Sequence, residues 1–282
     1  MKVIITGAGG QLGQDMVQAC IRRNIPVDAA DSRQLDITDF WAVQKFLSEH
    51  PGDLVINCAA YNAVDQAQQD WETAFHINGL GVRNLVRAVN ECGGTLVHYS
   101  TDFVFDGDSP RPYTVADTPR PINRYGESKL LGEQYVRDLS DRYYLIRVSS
   151  VFGPGKTNFV KKVIEWGKTG RELRIVDDQL FSPTYTLDLA EATLDLVKTS
   201  MHGLYHITNS GSCSRYGWAS YILDFLGWKG TIIPVSSNEF QTAARRPRFS
   251  VLDPFGFPEL LGYHLPDWKD ATSRFLARLN RE

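Results

Sequence analysis

A tyrosine and a lysine stand four residues apart in the stretch "RYGESKLLGEQY", as Tyr125 and Lys129. Residues at this spacing lie on one face of a helix, so the lysine ammonium can approach the phenol oxygen. A cation beside a phenol favours the phenolate and lowers the pKa of the tyrosine, which is about 10 when unperturbed. The pair predicts a proton donor for a carbonyl oxygen, although a packed tyrosine beside a solvated lysine would give the same pattern.

Three glycines form a second candidate site, in the stretch "TGAGGQLG" that follows the apolar run "KVIIT". Gly7, Gly10 and Gly13 lie where a strand would turn into a helix, and Asp31 ends the next apolar run. Without Cβ atoms, such a turn lets backbone N–H groups and the helix N-terminus approach a pyrophosphate, while the carboxylate holds a ribose hydroxyl. The pattern predicts dinucleotide binding, against the alternative that the glycines serve only a tight turn.

Short apolar runs alternate with helical stretches through the first half of the chain. The predicted strands are "KVIIT", "PVDAAD", "DLVINCAA", "TLVHYSTDFVF" and, after the helix that carries Tyr125, "YYLIRVSSVFG". The predicted helices between them include one long helix over "WETAFHINGLGVRNLVRAVNECG". This alternation is typical of a parallel sheet covered by helices on both faces. We therefore predict an α/β protein with a Rossmann-type doubly wound parallel sheet.

The regular alternation ends after residue 150, which indicates a smaller second lobe. Residues 158–167 and 214–226 are predicted helices, "LYHITN" is a predicted strand, and residues 245–257 are irregular. We predict a dinucleotide-binding Rossmann domain of residues 1–150 and about 184–210. The remaining residues, about 151–183 and 211–282, are predicted to form a discontinuous C-terminal substrate-binding lobe.

The composition argues against nucleic acid and membrane partners. A net charge of −3 and a pI near 6.1 create no general field that attracts polyanions. No apolar run approaches the roughly 18 residues of a membrane span. The four cysteines, Cys20, Cys58, Cys92 and Cys213, are widely spaced and form no C-x-x-C pattern, as is usual for reduced thiols. We expect a soluble cytoplasmic protein.

Taken in order, the motifs resemble the extended short-chain dehydrogenase/reductases. The phrases that carry the resemblance are "GQLG", "NCAAYNAVDQAQ", "VHYSTDFVFDG", "YGESKLLGE", "DQLFSPT" and the late pair Arg246-Pro247. Within that superfamily they are most similar to the dTDP-4-dehydrorhamnose reductases. The resemblance implies NAD(P)H-dependent reduction of the 4-keto group of a nucleotide-linked 4-keto-6-deoxy sugar, in dTDP-rhamnose and polysaccharide biosynthesis.

The resemblance also implies a role for each matching residue. Tyr125 becomes the proton donor, Lys129 its electrostatic partner and a ligand of the nicotinamide ribose, and Thr101 a hydroxyl that holds the substrate oxygen. The implied cofactor-binding residues, besides Tyr125 and Lys129, are Gly7, Gly10, Gln11, Leu12, Gly13, Asp31, Ser32, Arg33, Asp36, Ile37, Cys58, Ala59, Ala60 and Tyr61. Asn78 is either a further contributor or an ordinary polar helix residue.

The choice between NADH and NADPH stays open at this point. Asp31 favours a free ribose 2′-hydroxyl, whereas Ser32 and Arg33 could accommodate a 2′-phosphate. On the substrate side, the resemblance points to a set on both lobes: Val64, Asp65, Thr101, Asp102, Phe103, Gln179, Pro183 and Arg246. Arg246 suits a nucleotide diphosphate because guanidinium groups pair well with phosphate oxygens, although an arginine-rich run is often a solvated loop.

Two departures from the family pattern bear on binding and assembly. Ser150 stands in "RVSSVF" where many members carry a tryptophan, so a surface that stacks on the sugar is expected to be missing. Members with magnesium-bridged dimers use acidic residues where this chain has Leu187 and Lys269, leaving only Asp15. We expect a monomer or a homodimer that is not metal-bridged, and no metal site, because the histidines are scattered.

Two other functions remain open. A nucleotide-sugar epimerase or 4,6-dehydratase would share the cofactor site and Tyr125, but dehydratases typically place Asp-Glu after the threonine, and here Phe103 follows Asp102. A non-catalytic NADP-binding subunit, like the regulatory subunit of methionine adenosyltransferase, is built on the same scaffold. The intact set of Thr101, Tyr125 and Lys129 argues for catalysis.

Overall fold

A computed structural model of the chain describes residues 1–155 and 157–281. The strands are β1 (Val3–Thr6), β2 (Val27–Ala30), β3 (Leu54–Asn57), β4 (Thr95–Thr101), β5 (Tyr143–Val148), β6 (Val151–Phe152), β7 (Glu172–Val176), β8 (Leu180–Phe181), β9 (Thr184–Tyr185), β10 (Gly203–His206), β11 (Cys213–Ser214) and β12 (Thr231–Val235). The α-helices are α1 (Gln11–Arg22), α2 (Phe40–Glu49), α3 (Trp71–Phe75), α4 (Val82–Glu91), α5 (Arg124–Leu139), α6 (Phe159–Thr169), α7 (Thr186–Lys198), α8 (Arg215–Phe225), α9 (Phe257–Leu261) and α10 (Trp268–Leu279).

Six strands form one parallel sheet in the order β10-β5-β4-β3-β1-β2. The inner strands β1, β3, β4 and β5 are short runs buried on both faces, with Val, Ile and Leu predominant, which is what a sheet covered by helices requires. The direction of strand addition reverses between β1 and β3. Ligands of open α/β sheets bind in the crevice at such a reversal, beyond the carboxyl ends of the strands.

Helices cover both faces of this sheet, which confirms the predicted doubly wound α/β fold. On one face α1 and α7 pack together over a core that includes Val3, Ile5, Tyr99 and Leu189. On the other face α2, α4 and α5 bury a second core built from residues of the opposite strand parity. Because side chains alternate across a strand, neighbouring residues such as Ile4 serve the opposite core.

The long helix predicted from Trp71 onwards is interrupted. Residues His76–Gly81 form a π-helical turn between α3 and α4. Such turns insert one extra residue into a helix and occur frequently at functional sites. Here the turn carries Asn78, whose side chain is 1% exposed and points toward the edge of the sheet where β3 ends.

The second lobe has its own core, in which Phe152, Trp218 and Phe275 are packed with residues of α6, α8 and α10. Between its segments the chain returns to the sheet: α7 packs on α1 and β10 pairs with β5. Phe257 and Leu265, from the segment that the sequence assigns to the second lobe, pack with the core of the large sheet. The exact domain boundaries stay a prediction.

Several predicted strands end earlier than expected, and two of them bear on the site. β4 stops at Thr101 and residues Asp102–Val104 form a turn of 3₁₀-helix, which aims successive side chains in different directions. β5 stops at Val148, and Ser150 has φ of 43°, in the left-handed region. Within the described part of the chain, no helix is long and apolar enough to cross a membrane.

Candidate active site

The glycine-rich turn joins β1 to α1 at the switch point of the sheet. Gly7 has φ of 69°, and a Cβ atom there would lie 2.4 Å from the backbone nitrogen of Ala59. A Cβ atom on Gly13 would lie 2.3 Å from the carbonyl oxygen of Gly7. Gly10 caps α1 without a side-chain hydrogen bond, so N–H groups of the first turn remain available to an anion. The turn therefore has the shape that a pyrophosphate requires.

Gln11 and Leu12 begin α1 and point in different directions. The Gln11 Oε1 atom accepts a hydrogen bond of 2.9 Å from Asn158 Nδ2, at the start of α6. Leu12 packs against the core beneath the turn. Gln11 therefore connects the predicted pyrophosphate site to the second lobe.

Asp31 and Arg33, beyond the end of β2, form an ion pair. The Arg33 guanidinium lies 2.6 Å from Asp31 Oδ2, and the backbone nitrogen of Arg33 donates to Asp31 Oδ1 at 2.9 Å. Hydrogen bonds from Arg33 lower the pKa of the Asp31 carboxyl. The Arg33 side chain is 88% exposed, so it can turn from Asp31 toward a phosphate without a burial cost. Ser32 is exposed between them.

A side chain of α4 holds the turn that carries Asp36 and Ile37. Asp36 accepts a 2.9 Å hydrogen bond from the backbone nitrogen of Thr38, and Ile37 is 4% exposed. Asn84 Nδ2 donates to the carbonyl oxygens of Ile37 and Thr38 at 3.2 and 2.9 Å. Asn84 was not among the predicted site residues, because its partners are distant in sequence.

Residues 58–61 leave β3 and pass over the glycine turn. Tyr61 donates through its backbone nitrogen to Asn78 Oδ1 at 2.9 Å, and Asn78 Nδ2 donates to the Tyr61 carbonyl oxygen at 3.0 Å. Asn78 also donates to Ser128 Oγ on α5 at 2.9 Å. Asn78 therefore holds the predicted cofactor loop, with Cys58, Ala59 and Ala60, in register with the helix that bears Tyr125.

The first turn of α5 brings the three predicted catalytic residues together. Lys129 Nζ donates to the carbonyl oxygen of Tyr99 on β4 at 2.6 Å, and Lys129 is 3% exposed. Tyr125 is 9% exposed, and the nearby Thr101 side chain acts to lower the pKa of its phenol. The phenol also lies 3.4 Å from Asn62 Oδ1. The tyrosine and lysine are thus buried at the carboxyl edge of the sheet rather than solvated.

Close packing sets the position of this helix. Asn123 caps it by accepting from the Gly126 backbone nitrogen at 2.8 Å, and its Nδ2 atom donates to the Arg245 carbonyl oxygen at 2.8 Å. A Cβ atom on Gly126 would lie 2.2 Å from the carbonyl oxygen of Phe103. The cap therefore joins the tyrosine-bearing turn to the second lobe.

Burial dominates the titration of the tyrosine and the lysine. Burial raises the pKa of Tyr125, while the hydrogen bond from Thr101 opposes the rise and the nearby Asp102 carboxylate adds to it. Burial lowers the pKa of Lys129 to about 8, opposed by the charge of Glu133. The expected lowering of the tyrosine pKa is therefore wrong for this structure, because desolvation of the phenolate dominates and Lys129 is not among the groups that shift it.

Asp65 and Arg246, both predicted to bind substrate, are paired with each other. The guanidinium makes two contacts to the carboxylate, of 3.1 Å to Oδ1 and 2.5 Å to Oδ2. This pair joins the loop after β3 to the second lobe, and the Arg246 side chain is 18% exposed. Asp65 adjoins Val64, which packs with Phe103 against Tyr125. Arg246 is thus linked to the predicted catalytic site through a short chain of contacts.

A cavity of about 880 Å³ opens in the second lobe beside Arg246. Six basic side chains and two acidic ones line it, together with Gln179 and aromatic residues including Phe159, Trp166 and Phe240. The basic residues are Lys162, Arg174, Arg215, Arg245, Arg246 and Arg248, and the acidic ones are Asp106 and Asp108. This excess of positive charge suits an anionic ligand with an apolar ring system.

Arg215 is a cavity residue that the sequence did not indicate. Its Nε atom donates to Gln179 Oε1 at 3.2 Å, and its guanidinium stacks over Phe159 and Phe181 at 5.5 and 5.4 Å. Burial and the charge of Arg246 lower its pKa to about 10, so it stays charged at neutral pH. Pro183 is buried between β8 and β9.

The Asp102 side chain is buried among hydroxyl groups. Its side chain is 2% exposed, and its oxygens accept from Thr101 Oγ1 at 3.0 Å, Ser149 Oγ at 2.8 Å and Ser250 Oγ at 2.6 Å. The 3₁₀ turn directs this carboxyl into the protein and away from the cavity, and its role in substrate binding stays a prediction.

Asp15 occupies a structural position. It is 1% exposed and lies 2.5 Å from Thr186 Oγ1 and 2.8 Å from an Arg278 nitrogen. It therefore joins α1, α7 and α10. Among residues 1–155 and 157–281, no group of three or more His, Cys, Asp or Glu side chains is placed to hold a metal ion.

The parallel sheet, its glycine turn and the buried Thr101, Tyr125 and Lys129 define an oxidoreductase of the extended short-chain dehydrogenase/reductase type. Residues 1–281 match the family described as RmlD substrate binding domain, and the chain belongs to that family. This confirms the resemblance read from the motifs.

Relatives of known name match over nearly the whole chain. The spore coat polysaccharide biosynthesis protein SpsK of Bacillus subtilis (strain 168) is 37% identical over 275 residues, covering 98% of this chain and 96% of SpsK. The crystal structure of a dTDP-4-dehydrorhamnose reductase from Clostridium acetobutylicum superposes with a TM-score of 0.96 at 38% identity, covering 99% of this chain and 100% of that one. The enzyme of the same name from Bacillus anthracis, in complex with NADP, gives 0.95 at 40% identity with the same coverage.

Proposed function

We propose that this protein is an NAD(P)H-dependent reductase that converts the 4-keto group of dTDP-4-dehydro-L-rhamnose into the hydroxyl group of dTDP-L-rhamnose. The observation that carries the proposal is the burial of Thr101, Tyr125 and Lys129 together at the carboxyl edge of the sheet, beside the glycine turn. The names of the relatives support the substrate, since two solved structures of high similarity are dTDP-4-dehydrorhamnose reductases.

A nicotinamide dinucleotide fits the residues that are present. The turn at Gly7 leaves no room for a side chain, and the uncapped N-terminus of α1 offers N–H groups to a pyrophosphate. The loop held by Asn78 and the turn held by Asn84 form the remaining walls. When bound, the reduced nicotinamide supplies a hydride to the carbonyl carbon of the sugar.

The chain itself supplies the proton and holds the oxygen. Tyr125 is protonated at neutral pH because burial raises its pKa, and it donates its proton to the oxygen as the hydride reaches the carbon. Thr101 hydrogen-bonds to the phenol and stabilises the phenolate that remains. Lys129 contributes positive charge while the carbonyl oxygen of Tyr99 fixes its ammonium group. Because its pKa is about 8, turnover should fall as pH rises through that value and Lys129 loses its charge.

The basic cavity is the proposed site of the nucleotide diphosphate. Arg246 and Arg215 present guanidinium groups on its wall, and such groups form paired hydrogen bonds with phosphate oxygens. Aromatic side chains such as Phe159 and Phe240 are placed to contact the base or the sugar. Binding there requires Arg246 to share its guanidinium between Asp65 and the ligand.

Use of both cofactors follows from the Asp31–Arg33 pair. Asp31 can accept from a free ribose hydroxyl, and exposed Arg33 can leave it to contact a 2′-phosphate. We expect kcat/KM for NADH and NADPH to differ by less than about tenfold, or about 1.4 kcal/mol. Steady-state kinetics with each cofactor checks this, and a hundredfold bias would contradict it.

The test of the function is an absorbance assay with purified protein. NADPH oxidation is followed with dTDP-4-dehydro-L-rhamnose and with a panel of other nucleotide-linked 4-keto-6-deoxy sugars. Tyr125→Phe should retain cofactor binding and lose about 10²–10⁴-fold in turnover. Tyr135→Phe, on the same helix, is the matched control and should behave as the wild type. Lys129→Met should weaken both turnover and cofactor affinity.

Failure to oxidise NADPH with any of these sugars, in protein that binds the cofactor, would refute the reductase and leave a non-catalytic binding role or an epimerase or dehydratase, whose reactions consume no net NADPH. The predicted cytoplasmic location, the absence of nucleic acid and membrane partners and a monomeric or metal-free dimeric state belong to the same proposal. Size measurement in the presence and absence of a chelator would check the assembly. The relationship to a spore coat polysaccharide protein supports a product destined for polysaccharide.

A further inference from the structure

Asp102 is a buried carboxyl whose described side-chain partners are all hydroxyl groups. Ser149 and Ser250 approach Oδ2 at 2.8 and 2.6 Å, and Thr101 approaches Oδ1 at 3.0 Å. A buried carboxylate without a cation carries a large desolvation cost, which hydroxyl partners only partly offset. Burial accordingly raises the pKa of Asp102 despite these three contacts. Its protonation state affects the residue next to it.

The Thr101 hydroxyl has one hydrogen and two acceptor lone pairs. One lone pair accepts from the Phe103 backbone nitrogen at 3.2 Å. If Asp102 is ionised, the single hydrogen must go to its carboxylate. Thr101 can then only accept from Tyr125, and it offers no hydrogen to a phenolate or to the substrate oxygen.

A proton on Asp102 reverses this arrangement. The carboxyl then donates through Oδ1 to Thr101 and still accepts from both serines through Oδ2. The Thr101 hydrogen becomes free for Tyr125 or for the oxygen that gains negative charge during reduction. A neutral Asp102 also removes a negative charge that opposes formation of the phenolate on Tyr125.

We propose that Asp102 is a positioning residue that works in its protonated form, donating to Thr101 so that the Thr101 hydroxyl points at Tyr125 and the substrate oxygen. The inference rests on the proposed function of Thr101 and Tyr125. It goes beyond that function by assigning a required protonation state to a buried residue that acts through Thr101.

Two groups act on Asp102 through their charge or titration. Tyr125 on α5 becomes negative during the reaction and so favours the protonated carboxyl. Arg215 on α8 is positive and favours the carboxylate. A requirement for the protonated form makes turnover fall as pH rises through the pKa of Asp102, in addition to the loss at about 8 that belongs to Lys129.

The experiment is the pH dependence of kcat for the wild type, Asp102→Asn and Ser250→Ala, with saturating NADPH and dTDP-4-dehydro-L-rhamnose. An asparagine can donate permanently to Thr101 and accept from both serines. We expect Asp102→Asn to keep turnover within about tenfold of the wild type, whereas loss of a donor to the reacting oxygen costs about 10²–10³-fold. In Asp102→Asn the decline of kcat with rising pH should then reflect Lys129 alone.

Ser250→Ala provides the directional control. This change removes one donor to the ionised carboxylate and leaves the contact with Thr101 intact. It should raise the pKa of Asp102, so the decline of kcat with rising pH should occur about one pH unit higher. If Ser250 has only a structural role, Ser250→Ala should lower the stability of the protein and leave the pH profile of kcat unchanged.

Two results would overturn the inference. One is a hundredfold loss in Asp102→Asn protein whose thermal transition and NADPH affinity are preserved; the other is a set of three pH profiles that superimpose. Tyr125→Phe and Thr101→Val are measured beside them. If both retain turnover, the proposed function of these residues fails, independently of the result at Asp102.

Discussion

Replacement of Lys129 by methionine should make the protein more stable while reducing its activity. The pKa of Lys129 falls from 10.5 to about 8 on burial. At about 1.4 kcal/mol for each pKa unit, holding the ammonium in the folded protein at pH 7 costs about 3 kcal/mol. Methionine removes that cost and fills a similar volume. It also loses the hydrogen bond from Nζ to the Tyr99 carbonyl oxygen, which contributes about 1 kcal/mol. The net gain expected at pH 7 is about 2 kcal/mol.

The sign of the pH dependence gives the sharper test. The folded state binds fewer protons than the unfolded state between pH 8 and 10.5, so the stability of the wild type rises with pH in that window. At pH 10 the cost of the ammonium has fallen to about 1 kcal/mol, which equals the lost hydrogen bond, and the advantage of Lys129→Met should vanish. Urea unfolding at pH 7 and pH 10, for both proteins, measures the difference.

A matched control is available at Lys45, whose side chain is 74% exposed on α2. Lys45→Met should change the free energy of unfolding by less than about 0.5 kcal/mol at either pH. If Lys129→Met is less stable than the wild type at pH 7, or if its advantage is the same at both pH values, the burial argument fails. Lys129 would then be an ordinary charged residue whose removal costs only a contact.

Three further substitutions test the cofactor turn, the cavity and the core. Gly7→Ala should lower NADPH affinity at least about tenfold in a fluorescence titration, whereas Gly93→Ala, with similar φ but open space around it, should leave that affinity unchanged. Arg246→Lys keeps the positive charge but loses the planar guanidinium and its paired N–H donors. KM for the nucleotide sugar should therefore rise about tenfold, while kcat changes less than about threefold. A fall in kcat alone would contradict a binding role. Glu133→Gln leaves Arg147 buried without its carboxylate partner and should cost about 3–5 kcal/mol in chemical unfolding, and an unchanged midpoint would refute this.

The sequence was enough to predict those features that depend only on residues close together in the chain. The apolar runs predicted the sheet, because strands buried on both faces need continuous Val, Ile and Leu. The spacing of Tyr125 and Lys129 predicted a shared helix face, which the structure confirms. Gly7 and Gly13 were recognisable because a strand-to-helix turn at that spacing leaves no room for Cβ atoms.

Features that depend on distant partners could not be predicted from one sequence. Arg246 meets Asp65 across 181 positions of chain, so neither residue reveals the other. The π-helical turn at His76–Gly81 lies within a stretch that the helical pattern covered as one helix, and its Asn78 contacts the distant loop after β3. The burial of Asp102 follows from a 3₁₀ turn where alternation predicted continued strand.

The return of the chain to the sheet after the second lobe has a consequence for synthesis on the ribosome. β5 is the last strand of the large sheet to emerge before the segment 151–185, and β10, which covers its outer edge, emerges only after α7. Until then the nascent sheet exposes an unpaired parallel edge of buried-type residues, which is a template for pairing with another chain. Pauses in translation before β10 has emerged from the ribosome should therefore increase aggregation, whereas pauses after it has emerged should have little effect.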